Sequence, residues 1–228
     1  MTDRPATSRE QFVGRVRDAL ASRGRGGAPA APPAVDDATA RITSDADDLA
    51  TLFIERAAAL GMTVVTCEPA TLAATLAEQL DALGARRIAL AIDDLPNAQA
   101  IAAELAERGV VSGEWRRDPA MDAAFEADAG VTTVAAAVAE TGSLIYEGDA
   151  QHARGLMLAP PAHVAVVRRR QLIPDLLDHA RRLDATPPDD LPAGQVVISG
   201  PSKTADIEGI LITGVHGPGT LVVLFVSD

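Results

Sequence analysis

The chain has 228 residues, of which 47% are hydrophobic and 23% charged, and this balance is typical of a globular protein of one main domain. A net charge of −12 argues against nucleic-acid binding, which depends on basic groups that neutralise phosphates. Aromatic residues make up only 3%, so the core must consist mainly of small aliphatic side chains, and stacking on bases is disfavoured.

The cellular compartment follows from the cysteine count and the absence of apolar runs. The single cysteine, Cys67, cannot form an internal disulfide or supply the set of thiolates that an iron–sulfur cluster needs. We interpret it as a small hydrophobic residue at a strand end. No leader-like pattern opens the chain, and no apolar run reaches the ~18 residues of a membrane span. The expected location is the cytoplasm.

The N-terminal part predicts one helix followed by a linker. Residues 8–23 carry apolar side chains at helical spacing, with Ser8 as a plausible cap. Residues 24–35 are rich in Gly, Pro and Ala, which is typical of a linker. We therefore divide the chain into an arm, 1–44, and a main domain, 45–228. The arm helix could dock on its own domain, bind a partner protein, or pair with a sister subunit in a homo-oligomer.

The first half of the domain alternates helices and strands. Helical periodicity and terminal glycines predict helices at 45–61, 69–84 and 96–109, separated by short β-branched strands at 62–67, 86–92 and 110–115. This alternation with short connections indicates a parallel, doubly wound α/β sheet.

The second half predicts more strands. These are residues 129–132, 143–148, 163–167, 195–198, 209–213 and 220–226, with helices at 133–140 and 170–183. The last two strands flank a glycine-rich turn, 214–219, which suggests a closing hairpin or crossover pair. The triplet Arg168, Arg169 and Arg170 reads as a solvated turn.

Three polar loops of the second half are the candidate site: residues 139–143, 199–208 and 214–219. We expect them to meet at the carboxyl ends of parallel strands, where α/β sheets bind ligands, and to hold a small anionic ligand. Glu140 and His216 are the candidate catalytic residues. The candidate ligand-binding residues are Thr141, Gly142, Ser143, Gly200, Ser202, Lys203, Thr204, Asp206, Glu208 and Gly217.

Each of these side chains has more than one interpretation. Ser202 could cap a following helix, which would leave backbone N–H groups for an anion beside Lys203. Lys203 itself could bind the anion or pair internally with Asp206 or Glu208. Glu140 could act as a base or nucleophile, or could cap a helix. His216 could transfer protons or stabilise its turn.

Other sequence motifs are missing. Neither a phosphate-binding P-loop nor a strand-to-helix dinucleotide motif occurs. The remaining histidines lack metal-ligand spacing with Cys67 or a carboxylate pair, so no metal is predicted.

At the three loops the sequence resembles the lactate-utilisation family of LUD-domain proteins, and within it the C-type subunits. The residues that carry the resemblance are AETGSLI (139–145), PPAHVAVV (160–167) and the run from 199 to the C-terminus. The resemblance implies a three-layer α/β/α sandwich on a mostly parallel sheet, like NagB, RpiA and the CoA-transferases. It also implies a role in oxidising L-lactate to pyruvate, with the iron–sulfur clusters carried by partner subunits and no cofactor bound by this chain.

A second function follows from an analogy at the level of the fold. CoA-transferases use a glutamate in a Glu-Asn-Gly turn as nucleophile, and Glu140-Thr141-Gly142 is similar apart from threonine in place of asparagine. The alternative is therefore a stand-alone acyl-transfer enzyme that uses Glu140. A third hypothesis is an interaction module in which the N-terminal helix recruits redox partners.

Overall fold

The computed structural model describes residues 8–22, 36, 39, 41–45, 47–95, 97–114, 124–148, 154–207 and 210–227. The chain divides into two compact units, residues 1–37 and 38–228. The first contains helix α1 (Arg9–Ser22). Its predicted cap is confirmed, because the Gln11 N–H donates to Ser8 Oγ at 3.2 Å.

The second unit contains the other helices and all the strands of the described residues. Among these helices and α1, none combines the length and apolarity needed to cross a bilayer. The helices are α2 (Leu49–Ala59), α3 (Leu72–Ala82), α4 (Ala98–Glu107), α5 (Gly155–Leu158) and α6 (Leu176–Ala185). The strands are β1 (Thr63–Cys67), β2 (Arg87–Ala91), β3 (Val111–Glu114), β4 (Ala129–Thr133), β5 (Ala136–Val138), β6 (Ser143–Gly148), β7 (Ala162–Arg168), β8 (Leu172–Ile173), β9 (Gly194–Ile198), β10 (Lys203–Ile207), β11 (Ile210–Thr213) and β12 (Thr220–Val226).

A six-stranded sheet in the order β1-β12-β7-β4-β2-β3 forms the centre, and every neighbouring pair in it is parallel. Side chains alternate between its faces. In β12, Val222 and Leu224 join the core under α3 and α4, whereas Val223 and Phe225 join the core under α2. Because both faces are covered, the strands are almost continuously apolar. The expected α/β three-layer class with a mostly parallel sheet is confirmed.

The second face also carries a four-stranded sheet in the order β8-β5-β6-β9. The helix predicted at 133–140 is wrong, because Ala136–Val138 form strand β5 in this sheet. All three residues are buried, and a short run that is apolar throughout does not distinguish a buried strand from a helix.

Helix α6 starts later than the periodicity predicted. Pro174 cannot donate a backbone hydrogen bond, and Asp175 is the N-cap, whose Oδ1 accepts from the N–H groups of Leu177 and Asp178 at 2.9 and 3.1 Å. The part of the prediction before Pro174 is a 3₁₀ turn and strand β8.

The residues after β9 form a hairpin of two antiparallel strands, β10 and β11. The helix that Ser202 could have capped is therefore absent, and β11 pairs with β10 rather than with β12. Cys67 is buried at the end of β1, and burial raises the pKa of its thiol, as the interpretation of a small core residue requires.

Candidate functional site

Two of the three predicted loops border one cavity of about 190 Å³, which we call the His163 cavity. It lies between helix α5, strand β9 and the turns that precede β10 and β12. Its lining consists of Met157, Leu158, His163, Val196, Val197, Ile198, Ser199, Gly200, Pro201, Ser202, His216, Gly217, Pro218 and Leu221.

The cavity lies at the amino ends of the parallel strands, not at the carboxyl ends as predicted. The turn 214–219 precedes β12, and β12 runs parallel to β7 with Leu221 beside His163. The turn 199–202 follows β9, which belongs to the smaller, largely antiparallel sheet. The rule for carboxyl-end crevices concerns open parallel sheets, so it does not apply to a loop from a second sheet.

His163 is the most unusual side chain of the cavity. It is 1% exposed, and its Nε2 lies 2.9 Å from Thr132 Oγ1. Its Nδ1 is buried and has no hydrogen-bond partner among the described residues. Burial lowers the pKa of His163 from 6.5 to about 4, so the imidazole is neutral near pH 7.

A neutral imidazole donates from one ring nitrogen and accepts at the other. If the Thr132 hydroxyl donates to Nε2, Nδ1 carries the proton and can donate to a carboxylate. If Nε2 donates to Thr132, Nδ1 can accept from a ligand hydroxyl. A buried polar atom without a partner costs stability, and a ligand that reaches Nδ1 would remove that cost.

Backbone hydrogen bonds join the two turns around the cavity. The Ser202 N–H donates to Pro218 O at 2.9 Å, and the Gly214 N–H donates to Ser202 O at 2.9 Å. The Ser202 N–H is therefore not available to an anion. Gly217 packs on Ser202, since a Cβ there would lie 3.4 Å from Ser202 Cβ. His216 is exposed and lines the cavity.

Lys203 is not a ligand of this cavity. Its Nζ donates to Leu60 O at 3.2 Å, at the end of α2, where a cation complements the helix dipole. Its predicted roles, anion binding or pairing with Asp206 or Glu208, stay predictions. Thr204 lies in β10 opposite Ile212. The side chain of Asp206 and all of Glu208 lie outside the described residues.

The third loop, residues 139–143, supports the cavity indirectly. Thr141 Oγ1 donates to Ser143 Oγ at 2.9 Å, and Ser143 Oγ lies 2.8 Å from the hydroxyl of Ser199, which lines the cavity. Gly142 and Gly200 pack closely on the backbone at the C-terminal half of α2. This hydroxyl chain and these two glycines hold the turn 199–202 in place.

The sequence comparisons give the family. The model described as the LUD domain matches residues 38–226. The chain belongs to the LUD domain family. The resemblance stated from the loop motifs is thereby confirmed.

Several curated relatives of this LUD domain are named lactate utilization protein C. Lactate utilization protein C of Exiguobacterium sp. is 37% identical over 107 residues, 46% of either chain. The protein of the same name from Shouchella clausii is 30% identical over 185 residues, 80% of either chain. With several curated relatives, however, the aligned part of the chain spans only about half of the relative's length.

A solved structure shares the fold. The crystal structure of a DUF162 family protein from Deinococcus radiodurans superposes with a TM-score of 0.57 at 24% identity, over 79% of this chain and 97% of that one. At this identity the similarity concerns the fold only.

Glu140 of the LUD domain is separated from the His163 cavity. It lines a different cavity, of about 330 Å³, together with Asp47, Asp48, Glu55 and Arg56. Its backbone N–H donates to Pro174 O at 3.0 Å. An acidic lining does not favour a carboxylate acceptor, and acyl transfer by Glu140 stays a prediction. Within the described ranges no cluster of His, Cys, Asp and Glu could hold a metal ion.

Sequence reasoning missed His163 and Thr132. In the sequence His163 stands out only as a possible metal ligand and as part of the PPAHVAVV run. The available signal was its position, because a histidine between Ala162 and Val164 in a parallel strand covered on both faces must be buried itself. Nothing in the sequence indicated that Thr132, 31 positions earlier, would face it across neighbouring strands.

The buried imidazole predicts a pH-dependent stability. Because the folded pKa, about 4, is below the unfolded value of 6.5, the unfolded chain takes up the proton first as the pH falls. The contribution of His163 is complete above pH 6.5 and is lost between pH 6.5 and 4, by up to about 3 kcal/mol. Urea unfolding of the wild type and His163→Leu across this range measures it. Parallel pH profiles for the two proteins would contradict the assignment.

Proposed function

We propose that this LUD domain is a subunit of a cytoplasmic system that oxidises L-lactate to pyruvate, and that its His163 cavity binds the small organic anion. The family membership supports the first part, together with relatives named lactate utilization protein C. The second part rests on the geometry of the cavity.

The observation that carries the ligand proposal is the unsatisfied Nδ1 of His163 in a cavity of about 190 Å³. A volume of this size, below the usual range of about 300–1,000 Å³ for drug-sized ligands, suits a molecule of a few carbon atoms. A 2-hydroxy acid offers a carboxylate and a hydroxyl, so it can satisfy Nδ1 in either tautomer. The hydroxyls of Ser199 and Ser202, which also belong to the lining, supply further donors.

The electrons released by the oxidation would pass to iron–sulfur clusters in partner subunits. Conversion of the alcohol carbon of lactate to the ketone of pyruvate releases two electrons and two protons. The one cysteine of the chain is buried and cannot by itself ligate such a cluster. In this proposal the chain binds and orients the acid, and its partners accept the electrons.

Deletion of the gene in a strain without another lactate dehydrogenase tests the proposal. Growth on L-lactate is expected to stop, while growth on pyruvate continues, and a plasmid copy is expected to restore growth on lactate. Affinity purification of the tagged chain from lactate-grown cells is expected to bring down proteins whose absorption spectra show iron–sulfur clusters. Unimpaired growth on L-lactate after deletion would contradict the proposed role.

A further inference from the structure

A third cavity, larger than the His163 cavity, lies at the opposite edge of the central sheet. Its volume is about 410 Å³, and we call it the carboxyl-edge cavity because it lies where β1, β7 and β12 end. Its lining consists of Pro69, Ala70, Leu72, Leu95, Asn97, Arg168, Arg170 and Val226. None of the described residues that the sequence analysis predicted for the site lines this cavity.

Two arginines give this mainly apolar cavity its charge. Arg168 is 13% exposed and pairs with Asp94, its Nη2 lying 2.8 Å from Asp94 Oδ2. Thr133 holds the other oxygen of that carboxylate, donating to Oδ1 at 2.7 Å. The interpretation of the triplet as a solvated turn is therefore wrong for Arg168, which is built into the sheet edge.

Arg170 provides the positive charge that Asp94 does not neutralise. It is exposed, lines the cavity, and has no ion-pair partner in the described part of the chain. The Nε of Arg168 is buried and likewise has no hydrogen-bond partner among these residues. A guanidinium beside an apolar wall favours a ligand that combines a carboxylate or phosphate with an apolar body.

We propose that the carboxyl-edge cavity is a second ligand site, independent of the His163 cavity, for an organic anion with an apolar body larger than lactate. The anionic group would lie against Arg170, and the apolar part would lie against Leu72, Leu95 and Val226. The position agrees with the general rule that open α/β sheets bind ligands outside the carboxyl ends of their strands. The volume falls within the usual range of about 300–1,000 Å³ for small-molecule sites.

Calorimetry of the full chain with octanoate as the probe tests this proposal. We expect octanoate to bind at least tenfold more tightly than octanol, which lacks the charge, and than acetate, which lacks the apolar chain. Arg170→Met is expected to weaken octanoate binding at least tenfold, and so is Ala70→Trp, which fills the cavity from an exposed position.

The neighbouring arginine supplies the matched control. Arg169 is also exposed but does not line the cavity, so Arg169→Met removes the same charge and should change the affinity less than twofold. His163→Leu should leave octanoate binding unchanged, which separates this proposal from the proposed function. Equal losses in the two arginine variants would overturn the proposal. So would unaltered binding in Ala70→Trp, or no octanoate binding by the wild type.

Discussion

Replacing Gly142 with alanine is expected to lower the free energy of unfolding of the LUD domain by more than about 3 kcal/mol. A Cβ at this position would lie 2.3 Å from Ala57 N and 2.5 Å from the carbonyl carbon of Arg56, which is far inside contact distance. Helix α2 cannot move away easily, because Phe53 is fully buried and packs 6.1 Å from the ring of Phe225. Urea unfolding at pH 7 measures the loss.

Gly84→Ala is the matched control. Gly84 also has a positive φ, +66° against +69° for Gly142, but a Cβ there would have no atom within 4 Å. It should therefore show only the backbone cost of about 1–2 kcal/mol. Similar losses in the two variants would show that the contact with α2 is unimportant.

Gly142→Ala should also weaken ligand binding in the His163 cavity. The turn that contains Gly142 places Ser143, whose Oγ contacts Ser199 of the cavity at 2.8 Å. A displaced turn would move that hydroxyl pair.

His163→Leu is expected to lower the affinity for L-lactate and pyruvate at least tenfold and to abolish growth on L-lactate in the complemented deletion strain. Leucine suits a buried position in an apolar strand, but it removes Nδ1, the ring nitrogen that has no hydrogen-bond partner among the described residues. A lost hydrogen bond to a charged ligand group costs about 1.5–3 kcal/mol, which corresponds to a tenfold effect or more. Calorimetry and growth rates measure the two outcomes.

Stability must be separated from binding in this test. His163→Leu leaves the Thr132 hydroxyl without its imidazole partner, at a cost of about 1–3 kcal/mol. The double variant His163→Leu with Thr132→Val removes both partners and should recover most of that stability but none of the affinity. Glu140→Gln, in the separate acidic cavity, should leave the affinity unchanged. An intact affinity in His163→Leu, or its loss in Glu140→Gln, would contradict the assignment of the site.

Much of the central layer could be predicted from local patterns. The alternation between residues 45 and 115 recurs as α2, β1, α3, β2, α4 and β3, because the helical period and the terminal glycines act within a few neighbouring residues. Strands β7, β9 and β12 also follow from runs of β-branched residues, and β6 follows from a short apolar run. The helix predicted over β5 was wrong, since full burial on both faces removes the alternation of apolar and polar residues that indicates a strand.

The sequence indicated which turns border the cavity, but it did not indicate how they are arranged in space. The turns 199–202 and 214–219 do meet, but at the amino ends of the parallel strands, and Ser202 and Lys203 bond to backbone carbonyls. Glu140 lies in a cavity of its own. Which sheet a strand joins depends on long-range pairing, and this pairing leaves no local trace in the sequence.

The amino-acid sequence by itself determined the α/β class, most strand and helix positions, and the family, because propensity, periodicity and motif strings are local properties. Only the tertiary structure decided that His163 contacts Thr132 and lines one cavity, and that Arg168 and Arg170 line another. Both sites are built from side chains that are distant in the chain and become neighbours through strand order. Strand order is set by the packing of the whole core, which no single segment encodes.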